Sequence, residues 1–134
     1  MFSIVIVTHG HLATEFKNAV EHMMGPQEKI FPFSILADDD VEQKRDELMT
    51  LFKNNQGENG VVVLTDMFGG TPSNLSLSLL DHADVEVIAG VNLPMLVKLV
   101  SARSKIPLDK AVIEAQEAGK KYINVASKLL EQSA

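Results

Sequence analysis

Short runs of β-branched and aliphatic residues alternate with longer segments whose apolar residues recur at helical spacing, and this alternation restricts the fold more than any other feature. Four such runs predict strands: residues 2–7, 30–36, 61–64 and 85–89. An amphipathic helical pattern follows the first, second and fourth of them. This β-α-β-α-β-α-β-α order is typical of an α/β protein whose parallel strands are covered on both faces. We therefore predict a doubly wound, mostly parallel four-stranded sheet.

Two local signals refine this prediction. Pro32 lies inside the second predicted strand and cannot donate to a strand ladder, which favours an edge position. Residues 74–80 alternate polar and apolar side chains, as a strand would. They follow Thr71 and Pro72, however, which are a favourable N-cap and a favourable first helical residue. We therefore predict a helix here, ending near Asp81.

The end of the chain is ambiguous. A last helix is predicted from Leu108, and Gly119 can terminate it. Residues 121–127 are compatible with more helix or with a short strand, and periodicity does not decide between the two.

Composition restricts the class of protein. The chain has 134 residues, of which 46% are hydrophobic, so residues 1–134 are expected to form one domain with a core. It has no cysteine and enters a strand pattern without a signal peptide, so we expect a cytoplasmic protein. The net charge of −6 argues against a nucleic-acid partner.

Polar residues follow two of the predicted strands. His9 ends the first strand, and Asp66 comes directly after the third. In parallel sheets, ligands bind beyond the carboxyl ends of the strands, where the strand order reverses. His9 and Asp66 would be neighbours if the first and third strands are adjacent.

Such a pair is suited to nucleophilic chemistry. A carboxylate that accepts the imidazole N–H leaves the other ring nitrogen free to attack a phosphoryl donor. The backbone of Gly69 and Gly70, together with the N-terminus of the following helix, can bind the oxygens of the transferred group. The Thr71 hydroxyl is a further donor. Positioning and charge stabilisation suffice for such a transfer, so no metal or other cofactor is expected.

Other histidines and acids have simpler interpretations. His9 and His11 could suggest a metal pair, but the chain lacks further ligands at suitable spacing. The acidic run at residues 38–40 could hold a cation or form a loop with a helix cap. The spacing of Asp40 and Gln43 favours the cap.

Three segments carry a resemblance to a known family. They are IVIVTHG at residues 4–10, LTDMFGGTPSN at residues 64–74 and VIAGVNLPML at residues 87–96. The sequence resembles the IIA protein or domain of the mannose family of the bacterial phosphoenolpyruvate-dependent sugar phosphotransferase system. The motifs occur in the family's order and span most of the chain.

The resemblance implies a phosphocarrier in which His9 accepts a phosphoryl group from phospho-HPr, passes it to a IIB partner and is oriented by Asp66. It also implies a phosphoryl site lined by five residues: Met67, Phe68, Gly69, Gly70 and Thr71. It further implies a homodimer in which residues 121–127 form a strand exchanged between protomers. His11 receives no catalytic role.

Several functional alternatives stay open. Many relatives carry IIB on the same chain, whereas this sequence ends soon after the IIA segment, so the acceptor is expected to be a separate protein or a regulatory partner. A membrane would be reached only through permease subunits. The alternatives are the phosphoryl-donor subunit of a dihydroxyacetone kinase and a non-catalytic module that binds a small anion. The sugar is not indicated by the sequence.

Overall fold

The computed structural model describes residues 1–57, 59–82 and 84–133 of the chain. The strands are β1 (Ser3–His9), β2 (Ile30–Ile35), β3 (Val61–Thr65) and β4 (Val85–Ala89). The helices are α1 (Leu12–Met24), α2 (Val41–Asn55), α3 (Gly70–Leu77), α4 (Leu93–Ala102), α5 (Leu108–Lys121) and α6 (Ala126–Ser133). A 3₁₀ turn at Ser78–Asp81 extends α3. The predicted strands and the helices after them are thereby confirmed.

The strands form one parallel sheet in the order β2-β1-β3-β4. β2 lies at an edge, as Pro32 predicts. β1 lies between β2 and β3, and Val7 is in register with Thr65. The strand order reverses beside β1, so the ends of β1 and β3 meet at the edge where doubly wound proteins bind ligands.

Each face of the sheet has its own hydrophobic core. Ile4 and Ile6 of β1 pack with residues of α1, α4 and α5. Val5 and Val7 point the other way and pack with residues of α2 and α3. Side chains alternate along a strand, so a run of apolar residues without polar interruption is what a strand covered on both faces requires. This rigid strand ends at His9.

The predicted cap is correct for α2 and wrong for α3. The Asp40 side chain accepts hydrogen bonds from the backbone N–H groups of Glu42 and Gln43, which confirms it as the cap of α2. The predicted cap of α3, Thr71, is wrong, because Gly69 is the cap and Thr71 is the second helical residue. Gly69 and Gly70 have φ of +90° and +83°, so the chain turns and enters the helix before the Thr-Pro signal.

The C-terminal segment also requires a correction. Residues 121–127 form no strand: Lys121 ends α5, residues 122–125 have no regular structure and α6 begins at Ala126. A strand needs a neighbouring strand to satisfy its backbone groups, whereas a helix satisfies most of them internally. Gly119 lies within α5, where its lack of a side chain leaves room for Met95 of α4. No helix in the described part of the chain is both long and apolar enough to cross a membrane.

Candidate functional site

The fold brings His9 and Asp66 together from distant parts of the sequence. His9 is the last residue of β1, and Asp66 follows the last residue of β3. These two strands are adjacent and parallel, so their carboxyl ends lie side by side. The sequence predicted that His9 and Asp66 would be neighbours if the first and third strands were adjacent. The strands β1 and β3 are adjacent in the sheet, so this prediction is confirmed.

The Asp66 carboxylate accepts three N–H groups. One oxygen, Oδ2, lies 2.8 Å from His9 Nδ1 and 2.9 Å from the His9 backbone nitrogen. The other, Oδ1, accepts the backbone N–H of Met67 at 3.0 Å. The two bonds to His9 restrain both the ring and its backbone. The third ties the carboxylate to the turn that leads to α3.

These contacts keep Asp66 ionised. Partial burial by itself raises the pKa of the carboxyl, and the hydrogen bonds from the His9 backbone and ring, with the attraction of His9, outweigh it. The pKa of Asp66 therefore lies below its ordinary value. An ionised carboxylate can only accept a hydrogen bond, so His9 Nδ1 must be the donor.

The second ring nitrogen of His9 is left for chemistry. With the proton on Nδ1, a neutral imidazole carries its free lone pair on Nε2. Nε2 lies over the start of α3, where a Cβ added to Gly70 would come within 3.4 Å of it. The nitrogen with the free lone pair thus faces a backbone without a side chain.

The start of α3 is suited to an anion. No side chain among the described residues caps this helix, and its first turn contains no acidic residue. Its early N–H groups and the positive end of its dipole therefore meet no competing carboxylate on the helix itself. Thr71 is half-buried in this first turn. Met67 and Phe68 have exposed side chains on the preceding turn.

The site around His9 is open to solvent. The His9 side chain is 51% exposed, whereas that of Asp66 is only 13% exposed. Two cavities, of about 730 and 800 Å³, have other linings: residues around Arg103 in the first, and residues of α4 and α5 in the second. Among the described residues, the His9 side chain is therefore exposed enough for another protein to contact it.

Other polar residues near this edge have local roles. His11 is the N-cap residue of α1, is exposed and makes no capping bond with its side chain. Asp38 is exposed. Asn92 accepts the N–H of Met95 and donates to the carbonyl of Gly119, so it caps α4 and ties α5 to it. Within the described residues, no group of three or more His, Asp or Glu side chains could hold a metal ion.

One polar side chain of this edge was not among the predicted site residues. Thr8, directly before His9, is fully buried, and its hydroxyl accepts the backbone N–H of Ala13 at 2.7 Å. The signal in the sequence was a hydroxyl that follows the apolar run of residues 4–7 and stands next to the proposed nucleophile. Buried hydroxyls require partners, so a contact of this kind could have been expected.

Comparison with known proteins identifies the family. The model of the family described as "PTS system fructose IIA component" (EIIA-man) matches residues 3–116. The chain belongs to this IIA family. The matched part includes both His9 and Asp66 and ends within α5.

Individual members of the IIA family resemble the chain over nearly its whole length. The mannose-specific EIIAB component of Escherichia coli strain K12 is 33% identical over 98% of the chain, which spans only 42% of that protein. The fructose-specific EIIA component of Bacillus subtilis is 25% identical, with 98% of the chain and 91% of that protein covered. The crystal structure of a phosphotransferase system component EIIA from Streptococcus agalactiae has a TM-score of 0.87 at 27% identity, covering 96% of this chain and 99% of that one.

Proposed function

We propose that this IIA-family chain is a phosphocarrier, which accepts a phosphoryl group from phospho-HPr on His9 and passes it to a IIB partner. The observation that carries this proposal is the contact of 2.8 Å between His9 Nδ1 and Asp66 Oδ2, which leaves Nε2 facing the start of α3. Membership of the IIA family and similarity to sugar-specific phosphotransferase components support it. A donor and an acceptor of this kind would place the protein in the cytoplasm.

The transfer is a displacement at phosphorus. The Nε2 lone pair attacks, the nitrogen–phosphorus bond forms and the bond to the donor's leaving atom breaks, with its electron pair returning to that atom. Asp66 stabilises the positive charge that develops on the imidazole. The amides at Gly69, Gly70 and Thr71 would donate to the phosphoryl oxygens, since these residues form the start of α3. The reverse displacement by the acceptor returns His9 to its starting state.

The exposed surface beside His9 supports a protein partner. Phe68 is 76% exposed on the turn between Asp66 and α3, and Met67 next to it is also exposed. Exposed apolar side chains beside a nucleophile are more readily covered by another protein than by a small polar substrate. We therefore place Met67 and Phe68 at the rim of the site, where donor and acceptor would dock in turn.

The test is phosphorylation of the purified protein. We expect incubation with phosphoenolpyruvate, enzyme I and HPr to produce an acid-labile adduct that is absent from His9→Ala. Addition of a IIB protein should discharge the adduct. A wild-type protein that stays unmodified would overturn the proposal, and an adduct on His9→Ala would move the site to another residue. A small anion bound without any adduct would favour a non-catalytic module.

We also propose that the chain forms a homodimer through its C-terminal segment, residues 122–130. Several large apolar side chains are exposed there, with Ile123 75% exposed and Leu130 70% exposed. Exposed apolar side chains concentrated in one short segment are typical of an interaction surface. A second copy could cover them, and the outer edge of β4 is also unpaired within the described residues.

A further inference from the structure

The helix that follows His9, α1, is capped by a side chain that precedes its N-cap residue. The N-cap residue of α1, His11, makes no side-chain capping bond. The first N–H groups of a helix need acceptors, and Ser, Thr, Asp or Asn at the N-cap usually supply one. Here the acceptor is the Thr8 hydroxyl, which receives the N–H of Ala13 at 2.7 Å.

This bond spans the segment that carries the proposed nucleophile. Thr8 lies on one side of His9, and Ala13 lies in the first turn of α1. The residues between them turn sharply, with Gly10 at a φ of +55° and its N–H donated to the carbonyl of Ile35 in β2. The turn is therefore held to β2 at Gly10 and to the end of β1 by the Thr8 bond.

The bond lies where water cannot replace it. Thr8 and Ala13 are both fully buried. A buried N–H group that loses its acceptor cannot bond to water instead, which costs free energy. Removal of the Thr8 hydroxyl would therefore favour a movement of the start of α1 that gives this N–H group another acceptor. Such movement would shift the connection that begins at His9, and the contact between His9 Nδ1 and Asp66 depends on that backbone.

We propose that Thr8 is a positioning residue for His9. Its hydroxyl holds the first turn of α1 against the end of β1, and this keeps the imidazole on Asp66 with Nε2 facing Gly70. It touches neither donor nor transferred group, and it acts only through the backbone of residues 9–13. The rate effect rests on the proposed phosphocarrier function, whereas the orientation of the ring does not.

Three variants separate positioning from general stability. Thr8→Val keeps the shape and removes the hydroxyl, whereas Thr8→Ser keeps the hydroxyl. Ser3→Ala is the matched control, because Ser3 is a buried residue at the other end of β1 whose hydroxyl bonds the Asn55 carbonyl at 3.2 Å. Should valine prevent folding, Thr8→Ala is compared with Thr8→Ser in the same way.

The first readout is the tautomer of His9, observed in proton–nitrogen NMR spectra of the unphosphorylated protein. We expect wild type, Thr8→Ser and Ser3→Ala to show one tautomer with the proton on Nδ1, and Thr8→Val to show a mixture. A Thr8→Val protein with the wild-type tautomer would overturn the proposal, even if that protein were less stable.

The second readout is the rate of phosphorylation at saturating phospho-HPr. We expect Thr8→Val to lose roughly tenfold or more, since small displacements of reacting groups cost factors of this size. Thr8→Ser should recover most of the rate, and Ser3→Ala should keep it despite any loss of stability. Equal loss in Thr8→Ser and Thr8→Val would count against the hydroxyl. If wild type is never phosphorylated, the phosphocarrier function fails, while the NMR comparison still decides the role of Thr8.

Discussion

At the scale of single residues, the site consists of one histidine and the carboxylate that orients it. Asp66 uses both oxygens, accepting two N–H groups of His9 and one of Met67. The carboxylate is mostly buried, while the imidazole is half exposed. Under the proposed function, this division suits the carboxylate to a positioning role and leaves the imidazole accessible to the donor and the acceptor.

Replacing Asp66 should separate orientation from folding. We expect Asp66→Ala to fold but to be phosphorylated roughly 10- to 100-fold more slowly, a loss of the size found when the hydrogen-bond partner of a metal-binding histidine is removed. The measurement is the initial rate of adduct formation, with thermal unfolding as the control for structure. Equal rates in wild type and variant would remove Asp66 from the mechanism.

The lowered pKa of Asp66 links stability to pH. The folded-state pKa lies below the ordinary value of 3.8, so the ionised carboxylate stabilises the folded state. This contribution is complete above 3.8 and is lost as the pH falls through the lower folded-state value. We expect the difference in unfolding free energy between wild type and Asp66→Asn to shrink over that acidic range. A difference that does not change with pH would contradict the assignment.

Removing the His9 ring should reverse part of the shift. Its hydrogen bond and its attraction both lower the pKa of Asp66, while burial and the backbone N–H of residue 9 would remain in His9→Ala. The pKa of Asp66 should therefore be higher in this variant. A carboxyl titration followed by carbon NMR in both proteins measures it, and an unchanged midpoint would mean that the ring does not contribute.

At the scale of elements, the turn between β3 and α3 allows Nε2 to approach backbone. Gly69 and Gly70 have φ of +90° and +83°, which side chains disfavour. Their surroundings differ, since a Cβ on Gly70 would meet the His9 ring at 3.4 Å, whereas a Cβ on Gly69 would meet nothing within 4 Å.

The two glycines thus form a matched pair of substitutions. Gly69→Ala and Gly70→Ala should each lose about 1–2 kcal/mol of stability, because both require a left-handed backbone. Gly70→Ala should in addition lose considerably more phosphorylation rate, since its methyl group stands beside Nε2. The measurements are chemical unfolding and adduct formation. If Gly69→Ala were the slower protein, contact with His9 would not be the cause.

Most elements could be predicted because their signals are local. Pro32 predicted an edge strand, and Asp40 predicted a helix cap, from a few neighbouring residues. The cap predicted at Thr71 was wrong because the start of α3 depends on more than the Thr-Pro signal. The two glycines before Thr71 also determine where the helix begins. At residues 121–127 the signal itself was ambiguous, and the predicted exchanged strand requires a partner from outside the chain.

At the scale of the whole molecule, two surfaces stand out. One is the exposed edge around His9, and the other is the C-terminal segment, residues 122–130. Under the proposed function, the first must meet a donor and an acceptor in turn, so it has to remain uncovered. The second has no such requirement and is therefore the surface that a second copy can occupy permanently.

Charge substitution should test the proposed dimer. We expect wild type to be dimeric and Ile123→Asp to be largely monomeric, because a charge cannot be buried in an apolar interface without a partner. Met23→Asp is the control, since Met23 is also exposed but lies in α1, outside the segment. Sedimentation or light scattering measures the mass. A monomeric wild type, or a dimer in both variants, would contradict the proposal.

The sequence by itself determined the order of strands and helices, their parallel arrangement and the placement of His9 and Asp66 at strand ends. These follow from periodicity and chain chirality, which act over short stretches. Only the tertiary structure decided that β1 lies beside β3 and that Nδ1 of His9 meets an aspartate 57 residues away. The physical reason is that such contacts depend on how two layers of helices pack around one sheet, and no local pattern records which side chains that packing brings within hydrogen-bond distance.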